Sequence, residues 1–185
     1  MKKGNEKSKL RYMVVGTSCS GKTTFADKLS KILSIPHIEM DRLHWGPNWS
    51  PKADFAEKLA QEVDQPNWII DGNYRIVRQL TFEKASVVFW LNYPFWLVFG
   101  RALKRTLPRV FLGKTIYAGN RETFFTTFFS SDSILWWVIK THRQRQIEYS
   151  ALFASNKYPN LKVIELRHPI EAEEMLKKIR KNHEI

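Results

Sequence analysis

A lysine and a threonine stand next to each other behind two glycines, in an order that handles phosphate. Gly16-Thr17-Ser18-Cys19-Ser20-Gly21-Lys22-Thr23 satisfies the pattern G-x-x-x-x-G-K-[ST] at each fixed position. The glycines let successive backbone N–H groups converge on phosphate oxygens, because no side chain blocks the required conformations. Lys22 is then placed to reach the β- and γ-phosphates, and the Thr23 hydroxyl to ligate Mg²⁺. Thr24 continues the run into the positive end of a helix, which adds to the attraction. The eight loop residues and Thr24 are therefore expected to bind a nucleoside triphosphate, taken to be ATP with Mg²⁺. A second Gly-Lys-Thr at 113–115 has Pro108 where the first glycine belongs and no strand in front of it, so it reads as a coincidence.

Two aspartates have a matching placement. Asp71 follows the apolar Trp68-Ile69-Ile70, and Asp41 follows Pro36-His37-Ile38-Glu39-Met40. A carboxylate at the end of a buried strand is costly unless it serves a metal, a water or an arginine. Phosphoryl transfer needs such groups, since it consists mostly of positioning and charge neutralisation. Asp71 is expected to support the metal together with Thr23. Asp41 is expected either to take the acceptor's proton or only to bind the acceptor.

These residues must be held by a scaffold, and the hydrophobic pattern supplies one. Leu10–Val15, 36–40, 68–70, Ser86–Leu91 and Leu161–Leu166 read as strands. Helical stretches alternate with them: Phe25, Leu29, Ile32 and Leu33 behind the loop, about 52–63, from Pro94 onward, and the C-terminal segment through Ile170, Met175, Leu176 and Ile179. This alternation predicts a three-layer α/β/α fold with a five-stranded parallel sheet and a helical lid. Ligands in such a sheet collect at the carboxyl ends of the strands, where Gly16, Asp41 and Asp71 fall.

Length predicts one domain spanning 1–185, with residues 1–9 a flexible basic tail and about 106–132 a lid. The lid stretch fits no simple βα unit. Its Phe124, Phe125, Phe128 and Phe129 have the spacing of one apolar helical face, and Trp136, Trp137 and Ile139 likewise read as core. Formal net charge is +12, concentrated between residues 84 and 147, where ten Lys or Arg face two acids. A positive field of this kind suits a polyanion, either a nucleotide or a nucleic acid backbone. No DNA-reading motif accompanies it. Cys19 is the sole cysteine, so neither an intramolecular disulfide nor a cysteine zinc site is available. With no secretory signal and only a 16-residue uncharged stretch, broken by Asn92-Tyr93-Pro94, the expected location is the cytoplasm and no membrane span is expected.

The chain resembles the adenylate-kinase-like P-loop kinases, and within them the DNA topology modulation (FlaR-type) proteins. Trp68–Tyr74, Phe89–Leu97 and Ser133–Trp137 carry the character of that group. Adenylate kinases have Asp-Gly-x-x-Arg after the third strand, matched by Asp71-Gly72-Asn73-Tyr74-Arg75. By this resemblance Asp71 supports Mg²⁺ through water, Arg75 holds the acceptor's anionic group, and Asn73 lies among the substrate residues. Two arginines four apart match Arg101, facing the adenine, and Arg105, facing the phosphates. A lid helix ending in Arg-x-Arg matches Arg143-Gln144-Arg145 ahead of Tyr149, with Arg145 clamping the transferred phosphate; Arg121 and Arg143 are grouped with the substrate residues. His44, Trp45 and Trp49 lie where an acceptor would enter, either stacking on it or forming a packed aromatic loop. The short stretch between Asp41 and Asp71, and Asn92 in place of an aspartate, weigh against AMP as acceptor. The resemblance implies an ATP-dependent phosphotransferase acting on a nucleoside, nucleotide or other small molecule. The alternative is a nucleotide-gated DNA-binding protein affecting DNA topology without kinase activity.

Overall fold

The computed structural model describes residues 9–112 and 133–183, with side chains described through residue 106 in the first stretch. Five parallel strands form one sheet in the order β2-β3-β1-β4-β5: β1 Arg11–Gly16, β2 His37–Glu39, β3 Trp68–Asp71, β4 Val87–Leu91 and β5 Lys162–Leu166. Both faces are covered. On one lie Val14, Ile69, Phe89 and Leu91 with Phe25, Ala26, Leu29, Val98, Ala102, Val138 and Leu176. On the other, Met13, Val15, Trp68, Ile70, Val88 and Trp90 pack with Phe55, Leu59, Val63, Phe82 and Tyr149. Alternate strand residues therefore enter different cores, and this is why the strands read as continuous apolar runs.

Seven helices connect and cover the strands among the described residues: α1 Lys22–Leu33, α2 Met40–His44, α3 Phe55–Asp64, α4 Arg78–Lys84, α5 Phe95–Leu112, α6 Ile134–Ala154 and α7 Pro169–His183. α1 buries Phe25, Ala26, Leu29 and Leu33 and stops at Ser34, which is left-handed (φ 54°) and sends its N–H to the Ser30 carbonyl; Pro36 follows. Trp68 anchors the start of β3, wholly buried, with Nε1 donating to the Val63 carbonyl at 3.1 Å. Burial of a side chain of this kind contributes roughly 1.5–3 kcal/mol. α6 begins at Ser133, whose Oγ accepts from the N–H of Leu135 (3.1 Å) and of Trp136 (3.4 Å).

Several boundaries and one core assignment differ from the sequence reading. β2 ends at Glu39, so Asp41 sits in the first turn of the short helix α2 and not on a strand end. The aromatic stretch after it forms a 3₁₀ turn, Pro47–Trp49, closed by a bridge between Trp45 and Pro51. Trp136, Trp137 and Ile139 are 46%, 48% and 43% exposed, whereas Leu135 and Val138 of the same helix are buried. One face of a helix packs, and the residues beside 135 and 138 point away from it. Arg143-Gln144-Arg145 lies in the middle of α6, which runs on to Ala154, and so does not end a helix. The Lys9 carbonyl, ahead of β1, accepts from Ser86 Oγ, ahead of β4, at 3.2 Å. Of the expected lid, 106–112 continue α5; residues 113–132, with Arg121, the four phenylalanines and the second Gly-Lys-Thr, lie outside the described residues, as do 1–8.

Candidate functional site

β1 delivers the chain into the loop at Gly16, and the site is built outward from there. Gly16 has φ +149°, and a Cβ on it would lie 2.7 Å from the Leu91 carbonyl oxygen, so only glycine lets the loop pass the end of β4. Inside the loop, Ser20 N–H donates to the Thr17 carbonyl at 3.1 Å. Arg101 Nη1 donates to the Ser20 carbonyl at 2.6 Å while its guanidinium lies 5.3 Å over the Tyr93 ring. Arg101, expected at the adenine, thus braces the loop from α5. Lys22 folds back, Nζ donating to the Thr17 carbonyl at 3.2 Å. Burial holds its pKa below the usual lysine value, while Asp71, then Asp41, pull the other way and Arg105 adds to the depression. Asp71, Asp41 and Arg105 therefore all stand near enough to Lys22 to bias its proton.

Asp71 is 4% exposed at the end of β3 and has a polar partner at each oxygen: Thr23 Oγ1 donates to Oδ2 at 2.7 Å, and His37 Nε2 lies 3.0 Å from Oδ1. Sequence reasoning brought Thr23 and Asp71 to one place, and the structure does so too. It did not single out His37, which β2 sets on the face of the sheet toward α1; a histidine two residues before the strand end was the available signal.

Gly72 follows with φ +148°, and a Cβ there would stand 2.6 Å from the Met40 side chain. The turn it permits sends Asn73 back to the start of the loop. Asn73 Nδ2 donates to the Gly16 carbonyl, and its Oδ1 accepts from Gly16 N–H at 3.3 Å and from Tyr149 OH at 2.9 Å. The amide expected on substrate is engaged with the loop and with α6. Tyr149 is almost wholly buried, and burial pushes its hydroxyl up to about 12, so it stays a neutral donor.

Around Asp41 the contacts are of another kind. Tyr74 OH donates to Asp41 Oδ1 at 2.7 Å, and the His44 ring packs 4.4 Å from Tyr74, 4.5 Å from Trp45 and 4.8 Å from Phe55. Trp45 in turn meets Trp49 edge-on at 5.8 Å. His44 therefore acts as the centre of a packed aromatic loop; burial lowers its pKa, with Asp41 opposing. The loop's effect is to hold Tyr74, and through it Asp41.

Arg75 begins a second concentration of charge. Its Nε is 3.2 Å from Glu148 Oε1, which also takes Arg78 Nη1 at 2.7 Å, while Glu148 Oε2 is 3.5 Å from Arg145 Nη1. Glu148 and Arg78 were not expected here, yet this one acid of α6 gathers three arginines from three segments. An open groove of about 490 Å³ lies alongside, lined by Arg75, Lys140, Arg143, Gln144, Ile147 and Glu148. Asn92 stands apart from the site, joining β5 and α6 through Glu165 at 2.6 Å and Gln146 at 2.8 Å.

The loop fits a triphosphate on its own evidence. Ser20 Oγ is buried beside Gly16 with no hydrogen-bond partner among the described residues, and Lys22 is half-buried with a carbonyl as its donor contact. No cluster of three or more His, Cys, Asp or Glu forms a metal cage among the described residues; were Mg²⁺ bound with a triphosphate here, Thr23 and Asp71, in contact at 2.7 Å, are the side chains that would hold it. This agrees with an ion that keeps most of its waters and phosphate ligands.

No protein-family model matches the sequence, and no curated protein matches it. Among solved structures, a gluconokinase from Sinorhizobium meliloti 1021 superposes with a TM-score of 0.51 at 16% identity, covering 95% of each chain. A shikimate kinase from Bacteroides thetaiotaomicron gives 0.52 at 14% identity, covering 95% of this chain and 99% of that one. These likenesses define the class of fold: a three-layer P-loop α/β/α protein with a five-stranded parallel sheet. No helix among the described residues is long and apolar enough to cross a membrane.

Proposed function

We propose that the protein is a small-molecule kinase that transfers the γ-phosphoryl group of ATP·Mg²⁺ to a hydroxyl presented at Asp41. The observation that carries this reading is the company of Lys22: its half-buried ammonium lies in the field of two carboxylates, Asp71, which accepts from Thr23, and Asp41, which accepts from Tyr74. The overall likeness to two solved structures named as kinases supports the same reading.

Each residue then has a task. The loop N–H groups and Lys22 hold the β- and γ-phosphates, Thr23 and Asp71 hold the metal, and Arg105, on the exposed side of α5, faces the phosphate charge. Bound Mg²⁺·ATP supplies the phosphoryl group and neutralises its oxygens. Asp41, held by Tyr74 at Oδ1, keeps Oδ2 for the acceptor hydroxyl, either as a binding partner or to take its proton. Arg75 and Arg143, lining one groove, bind the acceptor's anionic group, and Arg145, paired with Glu148 on α6, clamps the transferred phosphate. The closer kinship with the DNA topology modulation group is part of this proposal and rests on Trp68–Tyr74, Phe89–Leu97 and Ser133–Trp137. A cytoplasmic location and a single domain belong to it as well.

The test is an acceptor screen with γ-labelled ATP and Mg²⁺ over nucleosides, nucleotides and hydroxylated acids. Label in a new phosphoester, lost in Lys22→Ala, is the expected result. Label appearing only as free phosphate across the panel overturns it.

A further inference from the structure

Asp71 is a buried carboxylate that must present one oxygen to a metal site, and a carboxylate can turn about its terminal torsion, which has broad wells. Its two described donors divide the oxygens between them: Thr23 takes Oδ2 at 2.7 Å and His37 takes Oδ1 at 3.0 Å. They arrive from different elements. Thr23 lies in the first turn of α1, whereas His37 comes from the edge strand β2, whose ladder sets His37 opposite Ile69 and Glu39 opposite Asp71. Alternation along each strand puts His37 and Glu39 on one face with Ile69 and Asp71. Glu39 is paired with Arg42 at 3.1 Å, and His37 is the member of that face directed at the carboxylate. The two side chains are 12% and 5% exposed, so water competes little for the contact.

When Mg²⁺ binds, the oxygen of Thr23 must serve the metal. His37 touches Asp71 without any such duty. We propose that His37 is a positioning residue: its Nε2–H pins Asp71 Oδ1, which keeps Oδ2 aimed at Thr23 and at the water shell of magnesium. This rests on the reading of Thr23 and Asp71 as the magnesium side of the site. Hydrogen-bond partners of metal-site ligands set metal affinity, and their loss costs about 10–100-fold.

Magnesium-dependent binding of a fluorescent ATP analogue to the full chain tests this without reading phosphotransfer. In His37→Leu, the Mg²⁺ concentration that gives half of the binding enhancement should rise about tenfold, with nucleotide affinity in EDTA unchanged. His37→Gln, whose amide nitrogen can reach the place of Nε2, should recover most of the loss, whereas the shorter His37→Asn should not. If His37→Leu fails to fold by thermal melting, the Gln and Asn pair decides alone. Half-enhancement within twofold of wild type in Leu or Asn overturns the proposal, as does an equal loss of affinity in EDTA. A wild-type chain that shows no magnesium enhancement overturns it together with the magnesium reading. A chain that shows the enhancement and the His37 effect yet phosphorylates no acceptor sinks only the kinase assignment.

Discussion

The two halves of the site are built differently. On the proposed donor side, the loop, Lys22, Thr23 and Asp71 lie within β1, α1 and the neighbouring strand β3, and their contacts are part-buried. On the proposed acceptor side, Asp41 comes from α2 and Tyr74 from the turn after β3, while Arg75 of that turn and Arg143 and Glu148 of α6 line an open groove. Arg75 there is 69% exposed at its side chain, against 5% for Asp71. The lesson is one of locality and dielectric. Under the proposed function, a triphosphate would be recognised by a single supersecondary unit in a part-buried place, whereas acceptor recognition would be assembled from separate segments in a wetter one, where each charge is worth less.

The largest effect should come from the donor side. Lys22→Met is expected to lower transfer about 10³-fold, measured by labelled-phosphate turnover. The same change should raise the melting temperature of the nucleotide-free protein: burial depresses the folded-state pKa, so at neutral pH the charged ammonium costs stability. A lower melting temperature would show that the Thr17 contact and the two carboxylates outweigh burial. Next is Asp41→Asn. If Asp41 is the proton acceptor, turnover at saturating acceptor should drop by about two orders of magnitude or more, the scale of general base catalysis. A rise confined to acceptor KM makes Asp41 a binding group.

Smaller effects probe the acceptor side alone. Arg75→Gln with Arg143→Gln should raise acceptor KM about tenfold, roughly one exposed ion pair's worth of free energy per side chain, and leave the KM for ATP within twofold. A shift in both constants breaks the division between the halves. Least in magnitude is a joint that links them. Tyr149→Phe removes a buried donor to Asn73 and should cost about 1 kcal/mol at pH 8 by denaturant unfolding. The folded-state pKa of Tyr149, about 12, lies above its ordinary value of 10.0, so the stabilisation is complete below pH 10 and lost as pH rises toward 12. The gap between variant and wild type should therefore close over that interval. A gap constant to pH 12 would mean the hydroxyl does not titrate there.

Legibility followed the same line. Gly16–Thr23 and the Trp68–Asp71 strand could be read from residue order because each is a local unit with its own periodicity. Thr23 and Asp71, expected on the metal, are brought together in the structure. Asn73 and Arg101 were legible as site residues, but not the partners they have: an amide turned onto Gly16 and a guanidinium under the loop. His44 remained undecided between ligand and packing until its ring was found among Trp45, Phe55 and Tyr74. Glu148 gave no signal of its own, being one acid in a long helix; Arg145 is its neighbour one turn back, but only the folded chain brings Arg75 and Arg78 to it.

The amino-acid sequence by itself determined the G-x-x-x-x-G-K-T loop, which is a matter of local spacing, and the parallel α/β class, which follows from local strand and helix periodicities alternating along the chain. Only the tertiary structure decided which donors Asp71 receives, that Asp41 sits on a short helix under a tyrosine, and that the α6 arginines converge with Arg75. Those contacts join residues far apart in the chain: 34 positions for His37 with Asp71, 48 for Thr23 with Asp71 and 57 for Gly16 with Asn73. Such pairings are set by strand order and helix packing, which no local pattern encodes.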